Sequence, residues 1–394
     1  MDSLLIFTGR YDIFTVRNVV TVPHFIFKLM NTAILIEKIV YGIDMKPIPS
    51  YGWGVIVIAT IRDVAKLAGV SVSTVSRYLN KSGYVNVETE RSIKAAIEKL
   101  DYAPNQVARG LAGKKTNTIA LILPDISNLF FSDLARAVED VAATYGYTVI
   151  LGNSDDRADK EKRYIETLKK KYIDGFIFAS QTFGPEEAEM LTKLGIPFVC
   201  LDRAPSEENA SVVRTKNIEG ASMAVQHLLD IGCRKIAHIY GPQHLITGRD
   251  RLIGYEKSVH AMEWFTPSLL EEGDFRIRGG ISATERLMQR HPDIDGIFAG
   301  NDLMAIGALK ALSRMGIKAG EEVAICGYDG IQTAEITSPE LTTIAQPLYE
   351  MGALISRLLI KKIEGTLEKD LTYELDVKLL ARGSTLDFSP RAKA

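Results

Sequence analysis

The sequence predicts an α/β protein: a two-lobed, doubly wound core preceded by a small all-α helix-turn-helix headpiece. Three observations carry that expectation. After Thr116, short apolar runs alternate with amphipathic stretches of helical length, the pattern of parallel strands covered by helices on both faces. The stretch 116–386 exceeds what one hydrophobic core comfortably fills, so it divides into two lobes. Ahead of it, residues 59–103 carry three short helical patterns with sharp start and stop signals.

Residues 1–58 follow neither the strand nor the helix period, and no cap brackets their apolar pieces at 19–27 and 33–36. Trp53-Gly54 requires the purine-rich bases TGGGG, which suit a ribosome-binding site just ahead of a start near Val55–Thr60. The segment is therefore expected to be an extension outside the fold, as a misassigned start would give, ahead of the alternatives of an added interaction arm or a membrane-associating piece.

From Thr60 the signals sharpen. Thr60 and Asp63 form a capping-box start, Ile61, Val64, Ala65 and Ala68 share one face, and Gly69 ends the helix. Ser71 caps a second helix that turns Val75 and Leu79 inward and leaves Val72, Ser73 and Arg77 outward. Asn86 opens a third, which buries Ile93, Ala96, Ile97 and Leu100. Two helices joined by a short turn containing glycine read as helix-turn-helix. Pro104-Asn105 stops this unit, and Gln106–Ala112 is too short to hold as an isolated helix, so 104–115 is a hinge whose order depends on partners. In the core, strands are expected at Ile119–Leu123, Thr148–Leu151, Gly175–Ala179, Phe198–Leu201, Ile236–Tyr240, Gly296–Ala299 and Val323–Cys326, with 387–394 a tail.

The net charge of −2 is unevenly placed: +1 over 1–58, +5 over 59–115 and −8 over 116–394. A compact basic block ahead of an acidic body suggests that the headpiece alone meets a polyanion. Cys200, Cys233 and Cys326 stand apart from one another and from any Cys/His cluster, which favours a reducing compartment and no metal. The longest uncharged stretch, 47–61, carries Pro47 and Pro49 and is too short to span a bilayer, and the N-terminus lacks a secretory pattern. A cytoplasmic protein with no membrane segment is expected. No GxSxG, GxxxxGK[ST], HExxH or GxGxxG fingerprint occurs and the six histidines are scattered, so neither catalysis nor a cofactor is expected.

The string Thr60-Ile-Arg-Asp-Val-Ala-Lys-Leu-Ala-Gly-Val-Ser-Val-Ser-Thr-Val-Ser-Arg-Tyr-Leu-Asn80, followed by Tyr102-Ala-Pro-Asn-Gln-Val-Ala-Arg-Gly-Leu-Ala112, closely resembles the headpiece and hinge of the lactose/galactose repressor (LacI) family. Pro124-Asp-Ile-Ser-Asn-Leu-Phe-Phe131, Arg251-Leu-Ile-Gly-Tyr255, Asn301-Asp302 and Gly327-Tyr328-Asp329 match its markers in order, so the resemblance covers about 60–386. It implies a homodimeric transcription regulator, a repressor, that binds a pseudo-palindromic double-stranded DNA operator. A small-molecule effector, a sugar, would sit between the lobes of a periplasmic-binding-protein-like core and control operator affinity. With no heptads after Leu386, an appended tetramerising helix is not expected.

A recognition helix in the major groove reads base edges with its first turn and the residues one turn on, here Val72, Ser73 and Arg77. Arg77 can donate two bonds to a guanine and Val72 can pack on a thymine methyl, while Ser71, Thr74, Ser76 and Asn80 are placed for phosphates. In the resembled family, paired hinge helices enter the minor groove and a leucine wedges into a deformable central step. Leu111 occupies that position, and the neighbouring Gly110 should weaken the hinge helix by up to about 1 kcal/mol.

Asn301 and Asp329 each follow an apolar strand, at the carboxyl ends where doubly wound sheets bind ligands. Arg251 lies on the helix after the 236–240 strand, Asp202 ends another strand, Phe275 can supply an aromatic wall, and Asp125 and Ser127 fall near the cleft mouth. Arginine with aspartate grips vicinal hydroxyls and a ring covers a sugar's apolar face, so a neutral polyol is expected, a monosaccharide ahead of a sugar phosphate or nucleoside. Plainer roles stay open: Asn301 and Asp202 as cap or turn residues, Phe275 as core, Arg251 with Asp329 as a structural ion pair. A sugar-binding protein of a transport system would share the lobes but needs a secretion signal and no headpiece.

Overall fold

The computed structural model describes residues 3–8, 12–17, 59–80, 82–102, 115–180, 182–205, 210–386 and 388. Leu111 and the rest of 103–114 lie outside the described residues, as does 18–58. The chain divides into two units, Met1–Pro104 and Asn105–Ala394.

In the first unit, β1 (Ser3–Thr8) and β2 (Asp12–Arg17) pair antiparallel, with Ser3 opposite Arg17 and Thr8 opposite Asp12. Regular structure was not expected here. Both runs are rich in β-branched and aromatic residues, and such runs pair locally when a short connection joins them. The headpiece follows expectation. α1 (Ile61–Ala68) opens with the Thr60 N–H and hydroxyl both donating to Asp63 Oδ2, at 2.8 and 2.6 Å, and closes at Gly69, whose φ of 68° is left-handed. Ser71 Oγ accepts from Thr74 N at 3.2 Å to cap α2 (Val72–Asn80), and Asn86 Oδ1 accepts from Glu88 N at 3.0 Å to cap α3 (Val87–Leu100). Val64, Ala65, Val75, Val85, Ile93 and Ala96 form the small core that holds the three helices.

The second unit contains two sheets. Lobe one is built from β3 (Thr118–Leu123), β4 (Thr148–Asn153), β5 (Gly175–Phe178), β6 (Phe198–Leu201), β7 (Ser211–Thr215) and β13 (Thr372–Leu375), all parallel, in the order β13-β7-β6-β5-β3-β4. Its helices are α4 (Leu129–Thr144), α5 (Ala158–Lys169), α6 (Pro185–Lys193) and α11 (Leu348–Glu364). Side chains alternate across a strand. Ile119, Leu121 and Leu123 therefore pack with Leu134, Val138, Met351 and Ile355 of α4 and α11, whereas Ala120 and Ile122 pack with Ile165, Leu168 and Leu191 of α5 and α6.

Lobe two repeats the plan with β8 (Ile236–Tyr240), β9 (Leu270–Glu272), β10 (Gly296–Ala299), β11 (Ala324–Asp329), β12 (Thr342–Ala345) and β14 (Lys378–Leu380), in the order β14-β12-β11-β10-β8-β9, with only β14 antiparallel. α7 (Asn217–Asp230) and α8 (Ile246–Val259) cover one face, α9 (Ile277–Arg290) and α10 (Asp302–Arg314) the other. The chain passes between lobes after Thr215, after Ala345 and after Leu375. All seven expected strands are present. The last starts one residue later and runs on to Asp329, because Gly327–Asp329 continue to pair with β12. None of the described helices is long and apolar enough to cross a membrane.

Candidate effector cleft and DNA-reading helix

Every strand of both lobes that approaches the cleft does so with its carboxyl end, so the residues just past those ends converge. β3 delivers Asp125, β6 delivers Asp202, β10 delivers Asn301, β11 ends on Asp329 and β12 is followed by Gln346. The cleft between the lobes measures about 700 Å³, and all seven expected residues line it: Asp125, Ser127, Asp202, Arg251, Phe275, Asn301 and Asp329.

Arg251 is the hub. It is buried on α8, its Nε donates to Asn217 Oδ1 at 2.9 Å, and its Nη1 donates to Gly300 O at 2.6 Å and meets Asp329 Oδ1 at 3.1 Å. The guanidinium lies over the Tyr328 ring at 3.8 Å and 5.9 Å from the Phe275 ring centre. Asp329 Oδ1 also accepts from Gln346 Nε2 at 2.8 Å. Burial pushes the Asp329 carboxyl up, and Arg251 and Gln346 oppose the shift. Asp202 turns with a left-handed φ of 61°, and burial pushes its carboxyl up to about 7, with Arg251 pulling it down and Asp329 adding to the rise.

The plainer roles coexist with the cleft rather than excluding it. Asn301 caps α10, its Oδ1 accepting from Met304 N at 2.9 Å, while its Nδ2 donates to Phe275 O at 3.1 Å. Phe275, at a φ of 59°, lays its ring where a Cβ on Gly241 would collide with it, so glycine is required there. Asp125 Oδ1 accepts from the N–H and hydroxyl of Ser127 at 2.9 and 2.6 Å, which closes a tight turn at the mouth. Asp125 Oδ2 faces Arg276 of lobe two at 3.7 Å.

Phe130, Phe131, Asp156, His244, Arg276 and Gln346 also line the cleft and were not expected. Gln346 follows β12, whose short run Thr-Thr-Ile-Ala carries too few apolar residues to stand out; recognised as a strand, it would have placed Gln346 at a carboxyl end.

In the headpiece, Val72, Ser73 and Arg77 are exposed on α2 and Val75 is fully buried. The hydroxyls of Ser71, Ser73 and Thr74 cluster at the helix start, 2.7 and 2.8 Å from Ser71 Oγ. Ser76 is half-buried; Asn80 ends the helix, and its side chain lies outside the described residues.

Comparison with known proteins follows the same division. Residues 60–105 match the model for bacterial regulatory proteins of the lacI family, and 116–381 match periplasmic binding proteins and the sugar-binding domain of that family. The ribose operon repressor of Halalkalibacterium halodurans is 46% identical over 326 residues, covering 83% of this chain and 97% of that protein. Catabolite control protein A of Priestia megaterium is 36% identical over 330 residues, covering 83% and 99%. Among solved structures, the lac repressor dimer bound to operator and an anti-inducer has a TM-score of 0.74 at 27% identity, covering 83% and 99%. A LacI-family regulator from Enterococcus faecium with bound ribose has a TM-score of 0.63 at 33% identity, covering 68% and 98%. The chain belongs to the LacI family of bacterial transcription regulators and is a sequence-specific DNA-binding repressor with a sugar-effector domain, not an enzyme.

Proposed function

We propose that this protein is a cytoplasmic, dimeric repressor whose effector is a pentose, D-ribose, held between the lobes. One observation carries the choice of a neutral polyol: the buried Asp329 carboxylate and Arg251 guanidinium meet through Oδ1 and Nη1 on the cleft wall, which sets an acceptor group and a donor group together for adjacent hydroxyls. The Phe275 ring supplies the apolar wall, and Asn301, Asp202, Asp125 and Ser127 supply further polar contacts. Ribose is favoured among such polyols by the relative named a ribose operon repressor and the neighbour solved with ribose.

The same reading assigns base contacts to Val72, Ser73 and Arg77, phosphate contacts to Ser71, Thr74, Ser76 and Asn80, and the minor-groove wedge to Leu111. It divides the chain into an extension over 1–58, the headpiece over 59–103, the hinge over 104–115, the two-lobed effector and dimerisation domain over 116–386, and a tail over 387–394. Effector binding shifts the lobe-closure equilibrium and thereby operator affinity.

Asp329→Asn keeps one side-chain acceptor and turns the other into a donor, and Asp329→Ala removes both. Each is expected to weaken D-ribose binding by about a hundredfold or more while operator binding without sugar stays near normal. Thermal-shift and calorimetric titration with ribose, other sugars, sugar phosphates and nucleosides decide the matter. No response to any of them, or one that survives both substitutions, refutes this account of the cleft.

A further inference from the structure

The first chain crossing reaches the cleft without lining it. Thr215, the last residue of β7, and Gln346, the first residue past β12, belong to different crossings and are both buried. Thr215 Oγ1 donates to Gln346 Oε1 at 2.7 Å, and Gln346 Nε2 donates to Asp329 Oδ1 at 2.8 Å. A carboxamide turned end for end keeps its shape, so its neighbours must decide which end faces where. The Asp329 carboxylate beside Arg251 can only accept, which calls for the NH₂ end, and the carbonyl end then needs a buried donor. Thr215 is that donor. The same residue orients a second amide: its carbonyl accepts from Asn217 Nδ2 at 3.2 Å, which turns Asn217 Oδ1 toward Arg251 Nε.

We propose that Thr215 is a positioning residue for effector recognition, whose hydroxyl and carbonyl hold the amides of Gln346 and Asn217 so that Asp329 and Arg251 are presented to the sugar. The inference rests on the sugar-effector reading of the cleft. Thr215 is absent from the cleft lining and acts on the effector only through these partners.

Thr215→Val preserves shape and removes the donor, leaving Gln346 Oε1 buried and unbonded. By calorimetric titration, D-ribose affinity is expected to fall about tenfold, because the amide loses the bond that holds it in place against Asp329. Thr215→Ser restores affinity to within about twofold, since serine returns the hydroxyl. In a Gln346→Met background the valine change is expected to cost nothing further, the signature of action through that amide. Unchanged affinity in Thr215→Val, or a full additional loss in the Gln346→Met background, overturns the proposal. Should ribose fail to bind the unaltered protein, the pentose reading falls while the Thr215 inference is still decided on ligand-free protein. There the Gln346 side-chain amide protons, assigned with Gln346→Met, should exchange slowly in the unaltered protein and in Thr215→Ser, and faster in Thr215→Val. Identical exchange in all three refutes it.

Discussion

His238, on the central β8 of lobe two, is fully buried and stacked against Phe298 at 4.5 Å and Tyr255 at 4.9 Å. Its Nδ1 donates to the Phe298 carbonyl at 2.9 Å, which fixes the neutral tautomer, and its Nε2 has no partner among the described residues. Burial pulls its pKa from 6.5 down to about 3, and Arg251 adds to the depression. Between those values the unfolded chain binds a proton that the folded chain refuses, so stability is full above the unfolded pKa and is lost as pH falls below it. The loss attributable to this one ring approaches about 1.4 kcal/mol per pH unit. His238→Phe is therefore expected to flatten the acid limb of stability: urea unfolding at descending pH should show the gap between variant and unaltered protein shifting in the variant's favour. A gap that stays constant would mean that the ring is protonated in place.

At the scale of elements, α2 separates its two jobs by face, Val75 inward and Val72, Ser73 and Arg77 outward. Arg77→Ala should cost about 1–3 kcal/mol on the cognate operator and relax the preference at one base position, because phosphate contacts hold register without reading sequence. Binding-site selection that returns the same sequence logo for both proteins would remove Arg77 from base readout. The headpiece was legible because its caps are local: Thr60 with Asp63, Ser71 and Asn86 each state where a helix begins within a few residues. The long apolar strands of the core were legible for the same reason. What escaped were β7, β9, β12, β13 and β14, short or polar strands at the crossings and sheet margins, whose pairing is decided by distant partners rather than by their own period. Gln346 was lost with β12. Arg251 was legible from its place on the helix after the 236–240 strand and from the Arg251–Tyr255 marker of the resembled family, and Phe275 as an aromatic side chain suited to the wall of that family's cleft.

For the whole molecule, the relatives align over 83% of this chain yet nearly all of their own length, and the headpiece match begins at residue 60. A chain beginning at Ala59 is therefore expected to bind operator as tightly as the full chain in a fluorescence titration. A loss of more than about tenfold would place 1–58, with its β1–β2 pair, in the working fold.

The three crossings also govern how this protein can be made. Lobe one takes Met351, Ile355, Leu358 and Leu359 of α11 into its core and β13 onto its sheet, and both come from residues translated after nearly all of lobe two. The ribosome delivers the lobe-one strands early, yet the face of that sheet shared by α4 and α11 is only half covered, by α4, until α11 emerges. For most of synthesis the nascent chain must carry a partly covered apolar sheet after a complete headpiece. A late stop codon therefore damages an early-made lobe: a chain ending before Leu348 loses the α11 half of the lobe-one core and the β13 edge of its sheet.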